Sequence, residues 1–159
     1  MTRSDEGVVT VHLLGLPLPL AERARQWFEE LLREFALIHA GADQSQHEVP
    51  QRLMSMVDAL VTRYAGINDD ARDRLESAID RGELVIADYE LQVPPSARAA
   101  LQALDAMMDD ADEFCRQGKH LLTLAEPEDV RRYRRWYLTQ IVTQLDGGAP
   151  TPWLAVVGS

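Results

Sequence analysis

The residues best suited to chemistry are four arginines near the C-terminus, at positions 131, 132, 134 and 135, followed directly by Trp136. An arginine guanidinium is a planar fork that binds carboxylates and phosphates through paired hydrogen bonds. Arginine beside tryptophan is also typical of the residues that dominate protein interfaces. On a helix Arg131 and Arg135 align, while Arg132 lies about 100° away. The pattern therefore predicts a partner-binding surface made of Arg131, Arg134, Arg135 and Trp136.

A row of carboxylates precedes the arginines at helical spacing: Asp105, Asp109, Asp112 and Glu113. Paired carboxylates could serve as a catalytic pair or a cation site, and a solvated helix face is the simpler interpretation. A third interpretation pairs them with the arginines, because consecutive helices with a short connection often pack side by side. If Asp105, Asp109 or Asp112 lies within salt-bridge reach, the arginine cluster is structural. If the arginines point to solvent, they predict an acidic protein partner.

The remaining reactive side chains do not form a recognisable site. The four histidines follow no HExxH, ExxH or paired CxxC spacing, which predicts structural or surface roles and no metal site: His12, His39, His47 and His120. Cys115 lies beside Phe114, as expected for a buried structural thiol. GxSxG, GxxxxGK[ST] and GxGxxG are absent from the sequence. We therefore expect no catalytic residue and no cofactor, and the sequence favours a non-catalytic role over an enzymatic one.

Composition limits the partners and the compartment. A chain of 159 residues is expected to form one domain, 1–159, with a flexible N-terminus over 1–7. The net charge of −10 argues against nucleic acid and anionic membranes as partners. A single cysteine rules out an intrachain disulfide and fits a reducing compartment. The apolar segment Val8–Leu20 is too short to span a bilayer, so we expect a cytoplasmic protein.

The periodicity of the sequence predicts a helix-dominated α+β fold, with about five helices and a small sheet of two or three short strands. These elements must position the residues described above. The strands are Val8–Leu14 and Glu83–Val93, and His120–Leu124 is either a third strand or a buried linker. The first strand is apolar on both faces, so we expect it to be covered on both sides, with a turn at Gly15–Pro19. The second alternates, with Val85, Ala87, Tyr89, Leu91 and Val93 on the inner face.

Five segments follow the helical period: Leu20–Ala40, Pro50–Tyr64, Asp69–Arg81, Pro95–Gln117 and Glu126–Leu145. Asn68 is a suitable N-cap for the third helix. In the first helix, one face carries the residues expected to be most buried: Trp27, Phe28, Leu31 and Phe35. The last helix has aromatic residues on a wide apolar stripe, and Trp153 behind it is expected to pack back on the core.

Three segments carry a family resemblance: VTVHLLGLPLPLAERARQWFEELLREFALI, DEFCRQGKHLLTLA and RRWYLTQIVTQLDGGAPTPW. Together they resemble a family of uncharacterised actinobacterial helical proteins associated with anti-sigma, partner-switching regulators. The resemblance implies a regulatory role by association, with a component of sigma-factor regulation as partner. The chain lacks the glycine-and-asparagine boxes of the kinase ATP site and the phosphorylatable serine loop of the antagonist. No functional residue is carried over from the family.

These observations predict a non-catalytic protein-interaction or regulatory module in bacterial signalling or transcription control, with homo-oligomerisation left open. The alternative is a small-molecule-binding or enzymatic domain with a pocket between the sheet and the helices. A deep pocket lined by perturbed ionisable groups would favour the alternative. A flat, exposed patch of aromatic and arginine side chains would favour the interaction module.

Overall fold

The computed structural model describes residues 7–41, 48–64, 66–117 and 126–154, without the side chains of 35, 37–41, 48–50, 114 and 115. The elements are β1 (Val9–Pro17), α1 (Leu18–Gly41), α2 (Glu48–Arg63), α3 (Asp69–Asp80), β2 (Val85–Val93), α4 (Arg98–Arg116) and α5 (Glu128–Leu145). A 3-10 turn, Pro95–Ala97, precedes α4. This part of the chain therefore has the predicted helix-dominated α+β fold, with five helices. The predicted element His120–Leu124 and the side chain of Cys115 lie outside the described residues.

The two strands belong to one sheet, as predicted. They run antiparallel, with a register from Val9 opposite Val93 to Pro17 opposite Val85. The predicted turn at Gly15–Pro19 is wrong, because β1 continues to Pro17 and α1 begins at Leu18. Gly15 has a φ of +69°, a left-handed conformation that favours glycine. It allows the strand to bend without ending.

The bend at Gly15 changes which side chains face the core. Leu13 and Leu16 are both buried, so the alternation of β1 shifts by one residue. Ile86 of β2 is likewise buried, whereas Val85 and Ala87 are exposed. The predicted inner face of β2 is therefore correct from Tyr89 to Val93 and wrong at its beginning.

The sheet buries only one face. Val11 and Leu13 of β1 are fully buried, but Thr10 is exposed and His12 is partly exposed on the opposite face. The prediction that β1 is covered on both sides is therefore wrong. The outer face of β1 carries too few apolar residues for a second layer of the protein to pack on it.

At each free edge of the sheet, a side-chain amide forms hydrogen bonds with the backbone. The His12 N–H donates to Gln144 Oε1 at 2.8 Å, and Gln144 Nε2 donates to the His12 carbonyl at 2.8 Å. On the other edge the Gln92 N–H donates to Asn68 Oδ1 at 2.8 Å, and Asn68 Nδ2 donates to the Gln92 carbonyl at 3.1 Å. Asn68 makes no side-chain cap to α3, so the predicted capping bond is wrong. The two amides satisfy backbone groups that an edge strand otherwise exposes.

The core consists of two clusters. The sheet cluster joins the inner face of the sheet to the start of α1, to α3 and α5, and to the C-terminal tail. The helical cluster lies among α1, α2 and α4 and has five buried members: Trp27, Leu31, Leu53, Met108 and Ala111. The predicted burial of Trp27 and Leu31 is confirmed, while Phe28 is only partly buried and Phe35 has no described side chain.

The C-terminal tail is fastened to α5. Trp136 Nε1 donates to the Thr151 carbonyl at 2.8 Å, and the Thr151 N–H donates to Gln140 Oε1 at 2.7 Å. Trp153 is buried, and its ring centroid lies 5.5 Å from that of Trp136 in an edge-to-face arrangement. The prediction that Trp153 packs on the core is confirmed. Among the helices described, none has the length and apolarity needed to cross a membrane.

Candidate functional site

The arginines of α5 face the carboxylates of α4. Arg134, only 8% exposed, donates to Glu126 and to Asp109, each at 2.8 Å. Arg131 donates to Asp112 at 2.7 Å, and Arg135 Nη2 lies 2.7 Å from Asp109. The acidic row of α4 and the arginines of α5 therefore form one ion-pair network between adjacent helices.

Asp112 is the most connected carboxylate of this network. It accepts hydrogen bonds from the Glu126 N–H at 2.7 Å, from Arg131 Nη2 at 2.7 Å and from Arg116 Nε at 3.0 Å. Burial alone raises the pKa of Asp112, but these donors outweigh it and hold the pKa below its ordinary value. Burial likewise opposes the charge of Arg134, yet its bonds to Glu126 and Asp109 raise the pKa of the guanidinium. Both groups are therefore charged inside the protein.

The network assigns the arginines a structural role. The acidic row of α4 forms ion pairs with Arg131, Arg134 and Arg135. Such ion pairs within the chain are the arrangement expected of a structural arginine cluster. Trp136 is 3% exposed and its indole N–H is bound within the chain. The partner-surface hypothesis for Arg131, Arg134, Arg135 and Trp136 is therefore withdrawn.

A different feature, a two-part hollow, separates the two core clusters. Its outer cleft, about 710 Å³, opens between β2 and the ends of α2 and α3. Its second part, the inner chamber, has a volume of about 430 Å³ and lies between the sheet cluster and the helical cluster. The two parts share six lining residues and so lie side by side: Glu22, Arg25, Leu75, Ile79, Tyr89 and Tyr137.

Side chains from both clusters line the inner chamber. The helical cluster supplies Trp27, Phe28, Leu104 and Met108. The sheet cluster supplies a larger group: Leu16, Ala21, Ala24, Leu75, Ile79, Tyr89, Tyr133 and Tyr137. The charged groups of the lining are paired with each other, Glu22 with Arg25 and Glu126 with Arg134. The chamber is therefore apolar and electrically neutral.

Three tyrosines line the inner chamber. Within the described ranges no hydrogen bond joins the hydroxyl of Tyr89, Tyr133 or Tyr137 to another residue, and none of these oxygens is among the fully buried atoms that lack a partner. Burial raises the pKa of each phenol above its ordinary value, and the neighbouring tyrosines raise those of Tyr133 and Tyr137 further. For Tyr89 the nearby Arg72 and Arg74 oppose this effect without reversing it. The tyrosines are therefore neutral hydroxyls, each able to donate and accept a hydrogen bond.

The position of the tyrosines explains why sequence analysis missed them. Tyr133 and Tyr137 are four residues apart on α5, and Tyr89 lies on β2, so all three matched the apolar period. The available signal was the use of tyrosine, instead of phenylalanine or leucine, at three positions expected to be buried. A tyrosine in an apolar lining can offer a ligand a hydrogen bond that phenylalanine cannot, and that difference points to a site.

The outer face of the sheet carries a second group of polar side chains. His12 Nδ1 lies 3.0 Å from Asp88 Oδ1 and 3.2 Å from Asp88 Oδ2. Donor atoms of His12, Asp88 and Glu90 all lie within 4.8 Å of one another. The spacing of the histidines in the sequence predicts no metal site. Spacing along the chain cannot reveal a group of side chains that two strands bring together.

Comparison of the chain with protein-family models, with curated proteins and with solved structures finds no match. The resemblance to the actinobacterial family therefore stays a prediction.

Proposed function

We propose that this chain is a non-catalytic binding module that takes a small, neutral, largely apolar molecule in the inner chamber. The observation that carries the proposal is an apolar space between two core clusters whose lining includes the side chains of Tyr89, Tyr133 and Tyr137. This is the pocket between sheet and helices that the sequence offered as the alternative to a protein-binding surface.

The size of the inner chamber supports a ligand. Protein interiors are packed nearly as densely as organic crystals, and voids larger than a water molecule are few. Small-molecule sites enclose roughly 300–1,000 Å³ and are mostly apolar, with a few placed polar groups. A space of about 430 Å³ lies within this range.

The lining defines the chemistry of the ligand. Because Glu22 and Glu126 are already paired with arginines, a charged ligand would enter without a free counter-ion and would lose its hydration. A neutral ligand avoids this cost. The tyrosine hydroxyls favour a ligand with one or two oxygen or nitrogen atoms on an apolar, ring-shaped skeleton.

The same lining supports binding without catalysis. A phenol whose pKa is raised by burial is a poor general base at neutral pH. Glu126, the most buried carboxylate of the lining, accepts hydrogen bonds from Arg134 Nε and Nη2. These features favour a receptor over an enzyme.

The regulatory role predicted from the sequence is compatible with such a receptor. A ligand in the inner chamber would contact both core clusters and would join α1 and α4 to the sheet. A protein partner remains a prediction, and the paired arginines no longer support it.

The test compares two ligands that share one ring system, neutral 2-naphthol and anionic naphthalene-2-sulfonate. We expect 2-naphthol to raise the melting temperature of the chain and the sulfonate to have no effect. A ligand at 100 times its Kd stabilises the folded state by about 2.7 kcal/mol, a shift of several degrees for a chain of this size.

Two substitutions locate the binding. Ala24→Leu fills the inner chamber and Tyr137→Phe removes one hydroxyl, so both should reduce the shift. The matched controls are Ala36→Leu, on an exposed position of α1, and Tyr64→Phe, outside the inner chamber. Equal shifts in Ala24→Leu and in the wild type would overturn the proposal.

A further inference from the structure

We infer that His12, Asp88 and Glu90 form a binding site for a divalent transition-metal ion, with zinc as the best-suited ion. The site lies on the outer face of the sheet. Tyr89 points to the opposite face and lines the inner chamber, so the metal site and the proposed ligand site are separate.

The sheet register brings the three side chains together. His12 lies directly opposite Glu90, and Asp88 lies two residues before Glu90 on the same strand. Residues two apart share a face of a strand, so both carboxylates stand beside the imidazole. The bend at Gly15 comes after these positions and leaves this alternation intact.

The separations of the donor atoms fit metal ligands. In the tetrahedral arrangement of zinc, bonds of about 2.1 Å place two adjacent donor atoms about 3.4 Å apart. His12 Nδ1 lies 3.0 Å from Asp88 Oδ1, and the Glu90 carboxylate completes a set within 4.8 Å. One ion can therefore contact all three side chains after small rotations.

The backbone beneath the cluster is held in place from two sides. Gln144 bonds both the N–H and the carbonyl of His12, each at 2.8 Å. Arg74 Nη1 donates to the Asp88 carbonyl at 3.0 Å. Donors mounted on fixed strands lose less freedom on binding an ion than donors on loops.

The donor set selects the class of ion. One imidazole nitrogen and two carboxylates suit zinc, cobalt, nickel or manganese, whereas magnesium and calcium favour all-oxygen sites. Two carboxylates also match the charge of a divalent cation. The simpler alternative is a cross-strand pair of His12 with Asp88 alone, in which Glu90 has no part.

Titration calorimetry of the metal-free, full-length chain tests the inference. We expect one equivalent of zinc to bind and magnesium to give no binding heat. His12→Gln, Asp88→Asn and Glu90→Gln should each weaken zinc binding at least tenfold. Glu83→Gln makes the same charge change near the other end of β2, beside Arg81, and should leave the affinity unchanged.

The outcome of Glu90→Gln is decisive. An unchanged zinc affinity in this variant, or in His12→Gln, would overturn the inference and assign any zinc to other side chains. Circular dichroism checks that each variant is folded. If one is not, manganese added to the isotopically labelled wild type provides the test, because the ion broadens nearby amide resonances. Broadening centred on His12 and Glu90 is expected, and broadening centred elsewhere would contradict the site. Tyr137→Phe should bind zinc like the wild type, which keeps this test independent of the proposed function.

Discussion

Arg134 shows how a buried charge is accommodated in this protein. Its guanidinium is 8% exposed and contacts carboxylates from three positions: Asp105, Asp109 and Glu126. The side chain of Glu126 is 1% exposed, so it depends on Arg134 for compensation of its charge. Removing one partner of a buried pair leaves the other charged and desolvated.

We therefore predict that Arg134→Met destabilises the chain by about 3–5 kcal/mol in a urea titration. Arg135→Met is the matched control, because Arg135 is half exposed and its ion pairs are screened by water. Its loss should cost below about 1 kcal/mol. Equal effects of the two substitutions would show that Arg134 is not a buried structural charge.

The three tyrosines predict an alkaline limit to stability. Their pKa values are higher in the folded chain than the value of about 10 expected after unfolding. The folded state therefore keeps phenol protons that the unfolded state releases, so their contribution to stability is complete below about pH 10. It is lost as pH rises from there through the folded pKa values.

Urea titrations from pH 8 to pH 11 measure this loss. We expect the free energy of unfolding to fall above about pH 10, and to fall less steeply in Tyr137→Phe. A slope that is the same in Tyr137→Phe and in the wild type would contradict the assignment of the loss to Tyr137.

At the scale of the elements, the two amide side chains at the sheet edges replace missing neighbouring strands. Gln144 satisfies two backbone groups of His12, and Asn68 satisfies two of Gln92. A two-stranded sheet is only marginally stable in isolation, and α5 and the start of α3 stabilise it here. The same contact positions His12 for the proposed metal site.

We predict that Gln144→Leu costs about 1–3 kcal/mol, because it leaves backbone groups of His12 without partners. Hydrogen exchange should accelerate at the His12 amide and stay unchanged at the Gln92 amide, which Asn68 still bonds. Gln26→Leu, at an exposed position on α1, is the control for the change of side chain. Unaltered protection at His12 would show that the amide bridge does not hold this edge.

The sequence predicts the elements better than their contacts. Helical and two-residue periods reveal the five helices and both strands, because each period reflects one buried face. They miss the bend at Gly15, since a positive φ in one residue shifts the alternation of both strands. They place Asn68 correctly at the N-cap of α3 but miss the partner of its side chain, because the amide bonds the distant Gln92 backbone instead of the helix end.

The ion-pair network and the inner chamber differ in how far the sequence predicts them. Pairing of the arginines with Asp105, Asp109 and Asp112 was an open alternative, since adjacent helices place their charged rows together. The sequence offers a pocket between the sheet and the helices as an alternative, but its lining could not be predicted, because it comes from six separate elements: β1, α1, α3, β2, α4 and α5. Neither periodicity nor spacing reports on a gap of this kind.

At the scale of the whole molecule, the division of the core is the feature that most needs an explanation. The sheet cluster and the helical cluster each bury their own side chains, and the inner chamber lies where they meet. A ligand there would contact apolar groups on both sides and bring the two clusters into one continuous core. On this account, ligand binding stabilises the whole domain and not only the residues that touch the ligand.

The most direct measurement is nuclear magnetic resonance of the chain with bound 2-naphthol, using labelled methyl groups. The account predicts nuclear Overhauser contacts from the ring to methyls of both clusters, with Ile79 and Leu75 on one side and Leu104 and Met108 on the other. Saturation should occur at one ligand per chain. Contacts confined to exposed apolar residues such as Val61 and Leu154, or no saturable binding, would contradict the claim that the inner chamber is a ligand site.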